Sequence, residues 1–294
     1  MPDPVAQPAS AYHHRVGDML VTALNDGFAL RPLAGGFIRN ASLDEMNAAL
    51  EAARMGPDVL PITFTPVMVR TGDEVILIDA GFADTGSPTT GFLHRGLAAC
   101  GVAPEDVTTV LVTHFHGDHI NGLVNKAGDP VFPKARVRVP APEWAFWTDP
   151  DHRAAAPEAM QGAFDGVERV FSALGDAVDH YQWGDEVAPG IIAIDARGHT
   201  PGHTAFELRS GDEVMIFISD TTNHPALFMA HPEWQAAFDM DPDRAVETRM
   251  NLLGRIADEG LKYAGYHVPF PAVGHLVREG DGFRHVPLQW MAQV

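Results

Sequence analysis

Short runs of alternating apolar and polar residues, punctuated by Gly, Asp and Pro, dominate the chain and predict strands at 19–24, 67–70 and 75–79. The last two flank Thr71-Gly72-Asp73-Glu74 and read as a hairpin. Apolar runs at 107–113, 137–139, 191–195 and 213–219 predict buried strands. Helical spacing marks 43–54, where Ser42 and Glu45 have the spacing of a capping box, and 93–100, stopped by Gly101. Residues 142–174 are helical in pattern and dense in aromatics, and 243–259 form an amphipathic helix opened by Pro242. Residues 1–18 are proline-rich and read as an irregular arm. The remainder, 19–294, reads as one α/β domain with room for two β-rich halves.

Composition narrows the chemistry. Of 294 residues, 46% are hydrophobic, which supports a deep core and excludes a disordered chain. Twenty Lys and Arg against 39 Asp and Glu leave a net charge of −19, a field that repels nucleic acid and anionic membranes. No apolar run approaches the roughly 18 residues of a membrane span. The first residues have neither a basic nor an apolar signal region, so a cytoplasmic location is expected. Cys100 is the single cysteine, so an intrachain disulfide and a thiolate metal cluster are excluded. A metal would be held by His, Asp or Glu, and the chain has 15 histidines.

Their placement carries the argument. Thr113-His114-Phe115-His116-Gly117-Asp118-His119 follows a predicted buried strand, and Gly117 allows a tight turn that brings four metal-competent side chains toward one cavity. Along a strand the same residues would alternate faces. Further candidates stand at other predicted strand ends: Gly198-His199-Thr200-Pro201-Gly202-His203 after 191–195, Asp220 after 213–219, and His267 after Tyr266.

This order of motifs, with Leu77-Ile78-Asp79-Ala80-Gly81 upstream, resembles the metallo-β-lactamase-fold hydrolases over about residue 19 to the C-terminus. The segment from Gly265-Tyr266-His267 to Gly274-His275 is similar to the branch containing methyl parathion hydrolase and related lactonases and arylesterases. The resemblance implies a four-layer αβ/βα sandwich with two divalent metals at the edge of its sheets. It implies His114, His116 and His203 on one metal, Asp118, His119 and His267 on the other, and Asp220 bridging both. Asp79, His199 and His275 are then expected behind the ligands, orienting them. The nitrogen and oxygen donors favour zinc, with manganese, cobalt or iron also suited.

Such a pair of ions implies a bridging hydroxide as nucleophile, oriented by Asp118, and hence a metal-dependent hydrolase of the lactonase or esterase type, EC 3.1. The expected substrate is a small, neutral, apolar carboxylic ester or lactone. Phosphotriester hydrolysis is the alternative, and a non-catalytic metal-binding or sensory module is the alternative of another class. Trp144, Phe146, Trp147, Met160 and Phe164 are candidates for an apolar pocket, with Phe28 and Phe228 lesser ones. Lactonases of this kind commonly carry Tyr three residues after the bridging Asp; here Asn223 and then His224 stand there. The 243–259 helix and the N-terminal arm are compatible with a homodimer.

Overall fold

The computed structural model describes residues 11–294. Strands β1 (Ala11–Val16) and β2 (Met19–Leu24) form a hairpin, and β3 (Gly27–Pro32) pairs with β4 (Val59–Phe64) as a separate ribbon. With β5 (Val67–Thr71), β6 (Glu74–Ile78), β7 (Thr109–Leu111), β8 (Arg136–Pro140) and β9 (Val178–Tyr181), the hairpin builds a seven-stranded sheet in the order β1-β2-β5-β6-β7-β8-β9. The second seven-stranded sheet runs in chain order through β10 (Glu186–Ala188), β11 (Ile191–Asp195), β12 (Thr204–Ser210), β13 (Glu213–Phe217), β14 (Lys262–Ala264), β15 (Val273–Glu279) and β16 (Gly282–Pro287). The helices are α1 (Leu43–Ala52), α2 (Leu93–Ala99), α3 (Gly117–Ile120), α4 (Ala141–Trp147), α5 (Pro150–Ala155), α6 (Glu158–Leu174) and α7 (Pro242–Asp258).

Strand alternation assigns each side chain to a layer. Ile76 and Ile78 enter the core between the sheets with Met215 and Phe217. Leu77 turns the other way, beneath α2 and α6, with Leu97, Phe164 and Val167. Ile216 and Ile218 pack under α7 with Leu252, Leu253 and Ile256. The result is the four-layer αβ/βα sandwich expected from the sequence. In α6 the buried Phe164, Val167, Phe171 and Leu174 recur at steps of three and four, and burial of each large side chain contributes roughly 1.5–3 kcal/mol.

Three expectations change. The irregular arm is corrected from Ala11 onward, where β1 pairs with β2 through register Ala11↔Leu24 to Val16↔Met19, leaving residues 1–10 outside the described residues. The helical pattern at 142–174 divides into three helices, with Pro150 opening the second and Pro157 capping the third, because proline suits a helix start and breaks an interior. The strand expected at 107–113 shortens to β7, and the chain leaves the sheet with Val112 and Thr113 to make the site.

Candidate metal centre

Four strand ends converge on one edge of the sandwich. After β7, Thr113 is pinned by Asp79, whose Oδ1 accepts from the Thr113 N–H and whose Oδ2 accepts from its hydroxyl, both at 2.8 Å. His114 and His116 then lie in extended approach to α3, while Asp118 and His119 occupy the α3 turn itself. The second contribution follows β11. There Gly198 has φ of 130°, and a Cβ on it would stand 2.3 Å from the Ala245 nitrogen of α7. A side chain is therefore excluded, and the His199 loop seats directly on that helix. Asp220 follows β13, and His267 follows β14.

The side chains form two groups. Ligand-type atoms of His114, His116, His199 and Asp220 lie within 4.8 Å of one another, as do those of Asp118, His119 and His267. Asp220 reaches both groups: Oδ2 lies 3.4 Å from His199 Nε2 and 3.0 Å from His267 Nε2, and Oδ1 lies 3.3 Å from His119 Nε2. Inward-facing imidazole nitrogens crowd together, His116 Nδ1 being 3.0 Å from His114 Nε2 and 2.9 Å from His199 Nε2. Three such nitrogens cannot satisfy one another, since a neutral ring offers one donor. His119 Nε2 and Asp220 Oδ1 are buried with no hydrogen-bond partner. Lone pairs turned inward and buried orphans at the same point are the donor set of a divalent cation, so the residues fit one.

Acceptors outside the groups set the ring orientations. His119 Nδ1 donates to Asp79 Oδ2 at 2.8 Å, His199 Nδ1 to Asp239 Oδ1 at 2.9 Å, and His267 Nδ1 to the Thr63 carbonyl at 2.9 Å. Each bond orients its ring and turns Nε2 toward the cluster. Asp239 is held in turn by Arg249, a fully buried guanidinium that also donates to the carbonyls of Thr221, Pro232 and Trp234. Burial and neighbouring imidazoles hold His114 well below the usual histidine range, and burial with His199 beside it brings His116 down to about 3. Both rings are thus neutral and able to donate lone pairs. Burial opposes charge on His119 too, but Asp220, Asp118 and Asp79 outweigh it and raise its pKa well above the ordinary value.

The second histidine motif differs from the expectation. His203 stands outside both groups: Nδ1 donates to the Ala196 carbonyl at 2.7 Å, and Nε2 accepts from the Asp220 N–H at 3.1 Å. With both nitrogens engaged by backbone, it has no free lone pair, and the neighbour expected behind the ligands, His199, faces the cluster instead. His275 is likewise corrected, lying on β15 with Nδ1 donating to the Leu261 carbonyl at 3.1 Å, outside both groups. Asp79 lies 2.8 Å from His119 Nδ1.

The site opens into a cavity of about 660 Å³ walled by Pro32, Phe37, Ile62, Phe64 and Phe238, with Arg31 and Asn223 as polar lining. None of the expected aromatics lines it. Trp147 and Phe164 are buried in the core between the first sheet and α4 to α6, and Trp144, Phe146 and Met160 are partly buried against it. Trp147 donates instead to the buried Glu143. Phe28 is 40% exposed outside the cavity, and Phe228 is wholly buried in the core between the sheets. His224 lines a separate hollow beside α1, its Nδ1 accepting from the Ala226 N–H at 3.2 Å. Asn223 does face the site, with Nδ2 3.4 Å from Asp220 Oδ2. Sequence reasoning missed the β3–β4 ribbon, although the alternation Leu60, Ile62, Phe64 marks its buried face, and it missed Asp239 and Glu143, which no local pattern signals.

The profile of the metallo-beta-lactamase superfamily matches residues 65–267. The fold superposes with a TM-score of 0.89 on a hydrolase of the beta lactamase superfamily, AbOPH, at 30% identity over 97% of this chain and 100% of that one. It superposes with a TM-score of 0.90 on AidC, a dizinc quorum-quenching lactonase solved in complex with a product, at 24% identity over 96% and 98% of the two chains. A probable metallo-hydrolase of Mycobacterium bovis is 25% identical over 187 residues, 54% of this chain and 56% of that protein. The chain thus spans just over half the length of that curated relative.

Proposed function

The chain belongs to the metallo-beta-lactamase superfamily of metal-dependent hydrolases, and from that premise we propose a dinuclear enzyme that cleaves a small apolar carboxylic ester or lactone. The observation that carries this reading is the pair of groups sharing Asp220 on the floor of an apolar cavity. His114, His116, His199 and Asp220 would hold one cation, and Asp118, His119 and His267, with Asp220 reaching both groups, would hold the other. Zinc suits these donors, and manganese, cobalt or iron fit them as well. Divalent cations in the two positions supply an activated water at neutral pH and a Lewis acid for the scissile carbonyl.

The chain's own residues supply the rest. Asp79 and Asp239 keep the His119 and His199 rings in one tautomer, so nothing reorganises during turnover. Asp118, more open than the other acidic donor with a side chain 21% exposed, faces the cavity and orients the attacking water through its carboxylate. Phe37, Ile62, Phe64 and Phe238 take the hydrocarbon part of the substrate and exclude bulk water. Asn223, whose Oδ1 is buried without a partner, offers a polar group beside the reacting centre where lactonases of the resembled branch commonly place Tyr. The net charge of −19 further disfavours a polyanionic substrate.

A hydrolysis panel tests the proposal: a γ-lactone, an aryl ester and a phosphotriester, each assayed before and after chelation and after cation restoration. Chelator-sensitive turnover of lactone or ester above phosphotriester is expected. Preference for the phosphotriester would replace the substrate class, and no turnover of any of them by cation-loaded protein would replace enzyme with binding module.

A further inference from the structure

Outside the two groups lies one carboxylate that touches no candidate ligand yet joins the loops that carry His114, His116 and His199. Glu143, on the first turn of α4, is fully buried. Its Oε1 accepts from the Phe115 N–H at 3.0 Å and from Trp147 Nε1 at 2.7 Å, and its Oε2 accepts from the Thr200 hydroxyl at 2.9 Å and the Gly202 N–H at 2.7 Å. Phe115 stands between His114 and His116, and Thr200 follows His199. One carboxylate therefore spans from the loop after β7 in the first sheet to the loop after β11 in the second.

The fit leaves no freedom for the loops to drift. A Cβ on Gly202 would stand 2.2 Å from the Glu143 nitrogen, so loop backbone lies directly against helix backbone. All four partners are donors and none carries a charge, which only an acceptor with two oxygens can satisfy. A buried carboxylate without a cation is costly, and its four donors offset that cost only while both loops stay in place.

We propose that Glu143 is a positioning residue that sets the separation of the His114–His116 turn from His199 and thereby the cation affinity of that group alone. The first group draws its histidines from both bridged loops, whereas Asp118 and His119 of the second come from one of them and His267 from neither, so the two affinities divide when this residue changes. The inference rests on the dinuclear reading above and concerns how one of its two sites is held.

The test is zinc titration of cation-free protein against a competing chelator, with cobalt absorption spectra reporting ligand geometry, for the wild type and Glu143→Gln. The amide replaces one acceptor oxygen with a donor, and the expected result is a fall of about 10–100-fold in affinity at one site with the other unchanged. Circular dichroism of the cation-free protein checks folding. Should Glu143→Gln fail to fold, Thr200→Val removes one loop bond while keeping the carboxylate, and it is expected to lower the same affinity more than Trp147→Phe, whose bond stays within α4. Equal wild-type affinities in Glu143→Gln, or a parallel loss at both sites, would overturn the inference while leaving the dinuclear reading standing. A wild type that binds no zinc would overturn the dinuclear reading and this inference with it.

Discussion

Two of the loops that bring imidazoles to the site use them in opposite ways. In Thr113 to His119 each of the three histidines and the aspartate turns inward, whereas of the two histidines in Gly198 to His203 only the first does. The difference lies in the backbone around each ring. His199 meets a carboxylate at Nδ1 and leaves Nε2 bare, while His203 meets a carbonyl at Nδ1 and an amide N–H at Nε2. A histidine in a metal-rich motif is thus a ligand candidate only when one nitrogen remains unclaimed, and folding, not spacing, decides that.

The largest disturbance comes from removing what the loops share. Asp220→Ala is expected to lose both cations and to reduce hydrolysis beyond the roughly 100-fold typical of an outer partner, read by elemental analysis and initial rates. Retained cations with normal rates would sever the link between the loops and the chemistry.

The sharper comparison is His199→Ala against His203→Ala. The first should remove the cation of the His114 group with the fold intact. The second should keep cation binding and cost roughly 2–5 kcal/mol in denaturant unfolding, because a buried carbonyl and N–H lose their partners and a cavity opens. The reverse order would restore His203 as the ligand.

A histidine outside both loops extends the contrast to pH. Burial, assisted by Lys262 and His13, holds His14 down to about 4, below the ordinary histidine value of about 6.5. Since the folded pKa lies below the unfolded one, its contribution is full above about 6.5 and is lost as pH falls through 4. The shift corresponds to about 3 kcal/mol. His14→Leu should flatten the acid limb of stability against pH; an unchanged limb would show that His14 is not its source. The smallest effect is expected from Trp147→Phe, about 1 kcal/mol from one lost hydrogen bond with KM unchanged. A raised KM would return Trp147 to the substrate pocket.

Much of the scaffold was legible because its signals are local. The Ser42 and Glu45 capping box forms, Ile191–Asp195 is a strand as read, and α7 starts at Pro242, one residue before the expected bound. The His-x-His-x-Asp-His turn was legible for the same reason, since six residues after a buried strand have few ways to point. What stayed hidden depends on distant partners. Asp239 meets His199 from 40 residues away, and Glu143 meets Gly202 from 59. The aromatics from Trp144 to Phe164 show the same limit, for a helical pattern does not tell which layer their side chains meet. The cavity wall comes instead from the β3–β4 ribbon and from Phe37 and Phe238 in irregular segments, which periodicity does not reach.

The central claim is that two groups sharing Asp220 hold two cations, and its most direct test is the divalent cation content of folded protein purified without chelator, measured by elemental analysis against protein concentration. The account predicts two per chain; one or none after loading with zinc or manganese would contradict it.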